Sequence, residues 1–170
     1  WADGREEPED AMPAPFVLRR FQAEALAAVE GARAAGRRRY WVSLPPGAGK
    51  TVLGTELVAA RLADEGRRAV VFAPNTAIQA QWIATWALYG RGPASTERDL
   101  AADVTVLTYQ SLASFSTDQD DDVEDDGEDR LVDRLHQNGR DLVAALRDAG
   151  PLTVLLDECH HLLEVWGALL

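Results

Sequence analysis

One cysteine, Cys159, stands in the 170-residue chain, so no intrachain disulfide forms. A single thiol suits a reducing cytoplasm. No run of about 18 or more apolar residues exists, which excludes a membrane-spanning helix and a membrane partner of that kind. The acidic stretch Asp3–Asp10 is the reverse of the cationic start of a signal peptide. Internal repeats are absent as well. The chain begins at Trp1 without a Met and stops at Leu170 inside an apolar pattern. Both ends read as cut, as in a piece of a longer protein. At 18.5 kDa it suits one domain with its own core.

The formal charge of −11 argues against a nucleic-acid partner until its distribution is considered. Residues 118–129 hold nine acids and no base, and Asp3–Asp10 holds five acids with one arginine. Outside these stretches the chain carries 14 acids against 16 bases. Both acidic stretches have few apolar groups and read as solvated. Residues 1–15, with Pro8, Pro13 and Pro15, form a tail, and residues 117–129 form an acidic insert within a domain over residues 16–170. The rest is nearly neutral, so charge decides nothing about its ligand.

Periodicity places the elements. Phe21, Ala25, Val29 and Ala32 predict a helix from Leu18 to about Ala35. An apolar run at Tyr40–Leu44 predicts a strand, and Leu53, Leu57, Val58 and Leu62 predict a helix ending near Gly66. Ala69–Ala73 reads as a strand stopped by Pro74. Thr76 is expected to cap the next helix, in which Ile78, Trp82 and Trp86 recur every fourth residue. Val104–Leu107 is a further strand. Leu131, Leu135, Leu142, Val143 and Leu146 predict helical structure broken at Asn138-Gly139. Leu152–Leu156 is an apolar strand that ends in Asp157-Glu158. Four strand runs separated by helices imply an α/β fold, a parallel sheet with helices on both faces. Such a sheet gathers its functional turns at the strands' C-terminal ends. Gly47–Thr51, Pro74–Thr76, Thr108–Gln110 and Asp157–His160 all follow strand runs.

The chemistry centres on Pro46-Gly47-Ala48-Gly49-Lys50-Thr51. A Gly-rich turn between strand and helix aims several backbone N–H groups at one spot, with a helix N-terminus behind them. That arrangement binds phosphate; Lys50 then reaches the β/γ-phosphates of a nucleoside triphosphate and the Thr51 hydroxyl ligates Mg²⁺. The strict motif has glycine where Leu44 stands. Asp157 at the end of an apolar strand needs a cationic counterpart, because a buried carboxylate is costly without one. Strand-end acids in phosphate-loop enzymes hold Mg²⁺, and a neighbour such as Glu158 orients or deprotonates the attacking water. The same pair would also serve as a helix start. Cys159 has no partner pattern and reads as a small buried residue. His160 and His161, adjacent on a helix, diverge by about 100° and do not chelate one ion.

Together Leu18-Arg19-Arg20-Phe21-Gln22, the phosphate loop, Ala73-Pro74-Asn75, Gln81-Trp82, Thr108-Tyr109-Gln110-Ser111-Leu112 and Asp157-Glu158-Cys159-His160 resemble superfamily 2 DEAD/DEAH-box-like helicases. The likeness is to the first RecA-like, P-loop motor domain and runs from about Phe16 to Leu163. It implies that Gln22, with Arg19, reads adenine, and that Pro46 to Thr51 cradle ATP. It implies too that Asp157 holds Mg²⁺ (partly through water), that Glu158 activates water, and that Pro74, Asn75, Thr76 and Thr108 touch a nucleic-acid backbone. His160 is implied in coupling to a second RecA-like domain. Leu44 fits, since the family often lacks that first glycine, whereas Asp-Glu-Cys-His departs from the usual Asp-Glu-Ala-Asp or Asp-Glu-Ala-His. The final His points away from the RNA-specific Asp-Glu-Ala-Asp group. The Leu-Arg-x-Phe-Gln start, the Thr-Tyr-Gln-Ser run and the doubled His look more like double-stranded-DNA translocases, and type III restriction enzyme helicase subunits are the nearest likeness.

The resemblance thus implies an ATP-dependent DNA helicase or translocase that hydrolyses Mg²⁺–ATP between two RecA-like domains. The second domain supplies the arginine finger, so these 170 residues alone are expected to be nearly inactive. Two other readings stay open: a nucleotide-dependent switch or scaffold without translocation, and a small-molecule kinase, against which Gln22 and Thr108-Tyr109-Gln110 argue.

Overall fold

The structure, a computed structural model, describes residues 15–111 and 137–159. Its centre is a three-stranded parallel sheet in the order β2-β1-β3, formed by β1 (Ala69–Ala73), β2 (Val104–Thr108) and β3 (Thr153–Leu156). Strand β1 is apolar throughout and buried at all five positions, as a strand covered on both faces must be. Its side chains alternate between two cores. Ala69 and Val71 point with Val104 and Val106 toward helices α2 (Lys50–Glu65) and α3 (Thr76–Ala87), where Val58, Trp82, Trp86 and Tyr89 complete the layer. Val70 and Phe72 point with Leu107 to the other face, onto Leu142 and Val143 of helix α4 (Gln137–Asp148). Helices therefore cover both faces, as expected of a RecA-like α/β domain.

The element boundaries have local causes. Helix α1 (Arg20–Ala34) starts two residues later than its periodicity predicts, because Arg19 is extended and its N–H donates to the Gln22 side chain. Helix α2 runs between two glycines in the left-handed region, Gly49 (φ 80°) and Gly66 (φ 61°), which few other residues tolerate. Asn75, and not the expected Thr76, caps α3 by accepting from the Ile78 N–H at 3.0 Å; Thr76 is already the first helical residue.

Two expectations fail. Tyr40–Leu44 is not a strand: it pairs with no described strand, and Trp41 is 75% exposed. An apolar run becomes a strand only when a neighbouring edge accepts its ladder bonds, and Pro45 and Pro46 lack N–H groups to extend one. The sheet of the described residues thus has three strands, not four. Asn138-Gly139 does not break α4, because burial of Leu142 and Val143 on the sheet outweighs the weak helix propensity of the pair. Leu131, Leu135, Leu163, the tail and the acidic insert lie outside the described residues.

Candidate nucleotide site

The C-terminal ends of the strands coincide. Ala73 pairs with Thr108 and Phe72 with Leu156, and the Asp157 N–H donates to the Phe72 carbonyl at 2.9 Å. The turns at Pro74–Thr76, Thr108–Ser111 and Asp157–Cys159 therefore share one edge of the sheet. Lys50, the only lysine in the sequence, joins them by an ion pair with Glu158, both side chains about one-third exposed. That contact closes a 108-residue separation in sequence.

The phosphate loop is braced from behind by Gln22, which is 5% exposed. Its amide nitrogen donates to the Ala48 carbonyl at 2.9 Å and the Gly49 carbonyl at 3.3 Å, while its oxygen accepts from the Arg19 N–H at 2.8 Å. Both N–H donors of the amide are thereby used, and one lone pair remains on the oxygen. Gly49 is required twice over. Its φ lies in the left-handed region, and a Cβ there would sit 2.6 Å from the Gln22 nitrogen. Gly47 is likewise at φ 72°.

Asp157 is 8% exposed and held on three sides. Besides the bond from its own N–H, Trp82 Nε1 donates to its Oδ2 at 2.8 Å and the Tyr109 hydroxyl donates to its backbone carbonyl at 2.9 Å. Burial pushes the Tyr109 phenol well above its ordinary range, with Cys159, Asp157 and Glu158 adding to the shift, so the hydroxyl stays a donor. Burial and the same two acids raise the Cys159 thiol, which fits an inert residue rather than a nucleophile. Glu158 lies at φ 53° without being glycine, a conformation that costs about 1–2 kcal/mol. Such strain persists only where its surroundings enforce it, and it concentrates at functional sites.

Among the described residues no group of three or more His, Cys, Asp or Glu could hold a metal ion. Mg²⁺ does not need one: it favours one or two carboxylates with a hydroxyl, water and phosphate oxygens. Asp157 Oδ1, beside the Trp82-bound Oδ2, and the Thr51 hydroxyl, which makes no hydrogen bond among the described residues, are donors of that chemical kind. The chain's residues fit the ion.

The other expected site residues have local partners. Asn75 caps α3, the Thr108 hydroxyl lies 3.4 Å from that of Ser111, and Pro74 and Thr76 stand at the turn from β1 into α3. All four share the edge of the sheet with Asp157 and Glu158. His160 lies outside the described residues. The sequence places Trp82 on a helix and in the family likeness but gives it no site role, so its bond to Asp157 is new. A signal existed, because a buried indole N–H usually finds an acceptor and Asp157 needs a donor.

A family model described as type III restriction enzyme, res subunit matches residues 15–168. No curated protein and no solved structure matches the chain.

Proposed function

Because the chain belongs to the type III restriction enzyme res subunit family, whose members carry a helicase-like ATP-binding domain, we propose that it is the first motor domain of an ATP-dependent DNA translocase or helicase. The observation that carries this reading is the Lys50–Glu158 pair, which joins the phosphate loop to the strand-end acids. The loop amides and Lys50 bind the triphosphate, and Thr51 and Asp157 hold Mg²⁺. Bound Mg²⁺ offsets charge on the phosphate oxygens. When Lys50 turns to the phosphates it leaves Glu158, and in this reading the Glu158 carboxylate orients water and takes its proton. Gln22 fixes the loop, and its remaining oxygen lone pair accepts from the adenine amino group, with Arg19 beside it.

Pro74, Asn75, Thr76 and Thr108 are exposed or half-buried turn residues, apart from the buried Thr108, on the same edge. In this reading they meet the DNA backbone, and His160 couples the site to a second RecA-like domain. That domain brings an arginine finger, which contributes on the order of 10³–10⁵ in rate. These 170 residues alone bind Mg²⁺–ATP weakly and turn it over slowly.

The test is ATP turnover by the full-length protein with and without double-stranded DNA, beside Lys50→Ala. DNA should raise turnover, and the substitution should abolish it. No stimulation by any nucleic acid refutes the motor and leaves a switch or scaffold. Unchanged ATP affinity and turnover in Lys50→Ala refutes the site.

A further inference from the structure

We propose that Trp82 is a positioning residue for the metal-holding acid, keying Asp157 to the helix that carries Lys50 and Thr51. The inference rests on the Mg²⁺ site proposed above.

Two tryptophans on α3 make the case by contrast. Trp82 and Trp86 stand four residues apart, both at most 2% exposed and both in the same apolar layer. The Trp86 Nε1 has no hydrogen-bond partner among the described residues. Packing in this layer therefore does not by itself require the indole N–H to be bonded. Trp82 Nε1 nevertheless donates to Asp157 Oδ2 at 2.8 Å, across 75 residues of sequence. An indole nitrogen only donates, so it fixes one carboxylate oxygen and cannot exchange roles with it. Oδ1 is left for the cation and its water.

The ring itself is held by α2. A Cβ at Gly54 would lie 2.4 Å from Trp82 Cη2 and 2.9 Å from Leu155 Cδ1. Glycine is a poor residue within a 16-residue helix, and the indole accounts for it here. The backbone of α2 thus touches the far end of the ring whose near end grips Asp157. Lys50 and Thr51 open that same helix. Any shift of α2 moves the indole, and through it the carboxylate, so Thr51 and Asp157 keep their relative placement. Groups that orient metal ligands in this way commonly change metal affinity by about 10–100-fold when removed.

The experiment measures Mn²⁺ binding to the ADP-loaded full chain, from the electron paramagnetic resonance signal of free Mn²⁺. Trp82→Phe keeps most of the ring and deletes the N–H; it should weaken Mn²⁺ roughly 10-fold and leave metal-free ADP affinity unchanged. Trp86→Phe should change neither, which controls for packing. Asp157→Asn is the reference for the site. If Asp157→Asn weakens Mn²⁺ but Trp82→Phe matches Trp86→Phe, the positioning role is overturned. If Asp157→Asn is also without effect, the metal-site reading fails, and this inference with it. A second measurement needs no substitution at Trp82. In ¹⁵N-labelled protein its indole resonance should move when Mg²⁺ joins bound ADP, and not when ADP binds alone. An unmoved resonance overturns the proposal even if Trp82→Phe does not fold.

Discussion

Replacing Gly49 with alanine perturbs the phosphate loop at one atom, and the consequence can be worked out in parts. Gly49 sits at φ 80° and ψ 42°, where an L-residue costs about 1–2 kcal/mol. The new methyl would also lie 2.6 Å from the Gln22 nitrogen, so the amide must swing away. It then loses its bonds to the Ala48 and Gly49 carbonyls, each contributing about 0.5–1.5 kcal/mol. The combined loss is about 3 kcal/mol, roughly a hundredfold in the folded-to-unfolded ratio. Urea unfolding followed by circular dichroism reads it directly. A double-mutant cycle separates the terms. Gln22→Ala removes the bonds and the obstacle together, so in Gly49→Ala/Gln22→Ala only the backbone cost adds to Gln22→Ala. The double variant should be more stable than the sum of the single losses implies, by about 2 kcal/mol, the two bonds that both single variants lose. Gly49→Ala within about 0.5 kcal/mol of the parent, or strict additivity, would refute the argument.

Two further predictions concern charges away from the site. Burial works to raise the Glu30 carboxyl, but hydrogen bonds from Arg61 and Arg33 outweigh it and hold it below its ordinary 4.5. Its contribution is therefore present above that value and lost as pH falls through the lower, folded one. Arg61→Met should destabilise at neutral pH and flatten the acid limb of a urea-midpoint profile below about pH 4.5; parallel profiles would contradict this. Arg68 donates to the Leu100 carbonyl at 2.7 Å and the Ala149 carbonyl at 2.8 Å, tying together the loops that enter β2 and β3. Arg68→Met should cost about 2–4 kcal/mol with nucleotide affinity unchanged, because those loops lie at the opposite edge of the sheet from Lys50. Weakened ADP binding at a temperature where the variant is fully folded would count against that separation.

Much of the fold is legible in the residues themselves. Ala69–Ala73 is apolar without interruption because both its faces are covered, and the spacing of Ile78, Trp82 and Trp86 places α3 on the sheet. Glycines at 49 and 66 bracket α2 for the same conformational reason. Tyr40–Leu44 shows where such reading stops: apolar character is a property of the segment, whereas a strand is a property of a pair. In the site, the phosphate loop and the acid pair stand out as motifs. The bonds that organise them do not, because Gln22, Trp82 and Tyr109 reach their partners across 26, 75 and 48 residues. Gly54 looks like a weak point in a helix until the indole beside it is known.

The central place of β1 also has a consequence in time. One of its edges is satisfied by β2, which is complete once Thr108 has been made; the other waits for β3, whose last residue, Leu156, comes 48 positions later (156 − 108). At about 5–20 residues per second, a growing chain carries the unpaired edge of Ala-Val-Val-Phe-Ala for roughly 2–10 s. Such an apolar edge is a template for wrong partners. The strand that finally covers it leads directly into Asp157, so the same pairing that ends the hazard also seats the acid in its site.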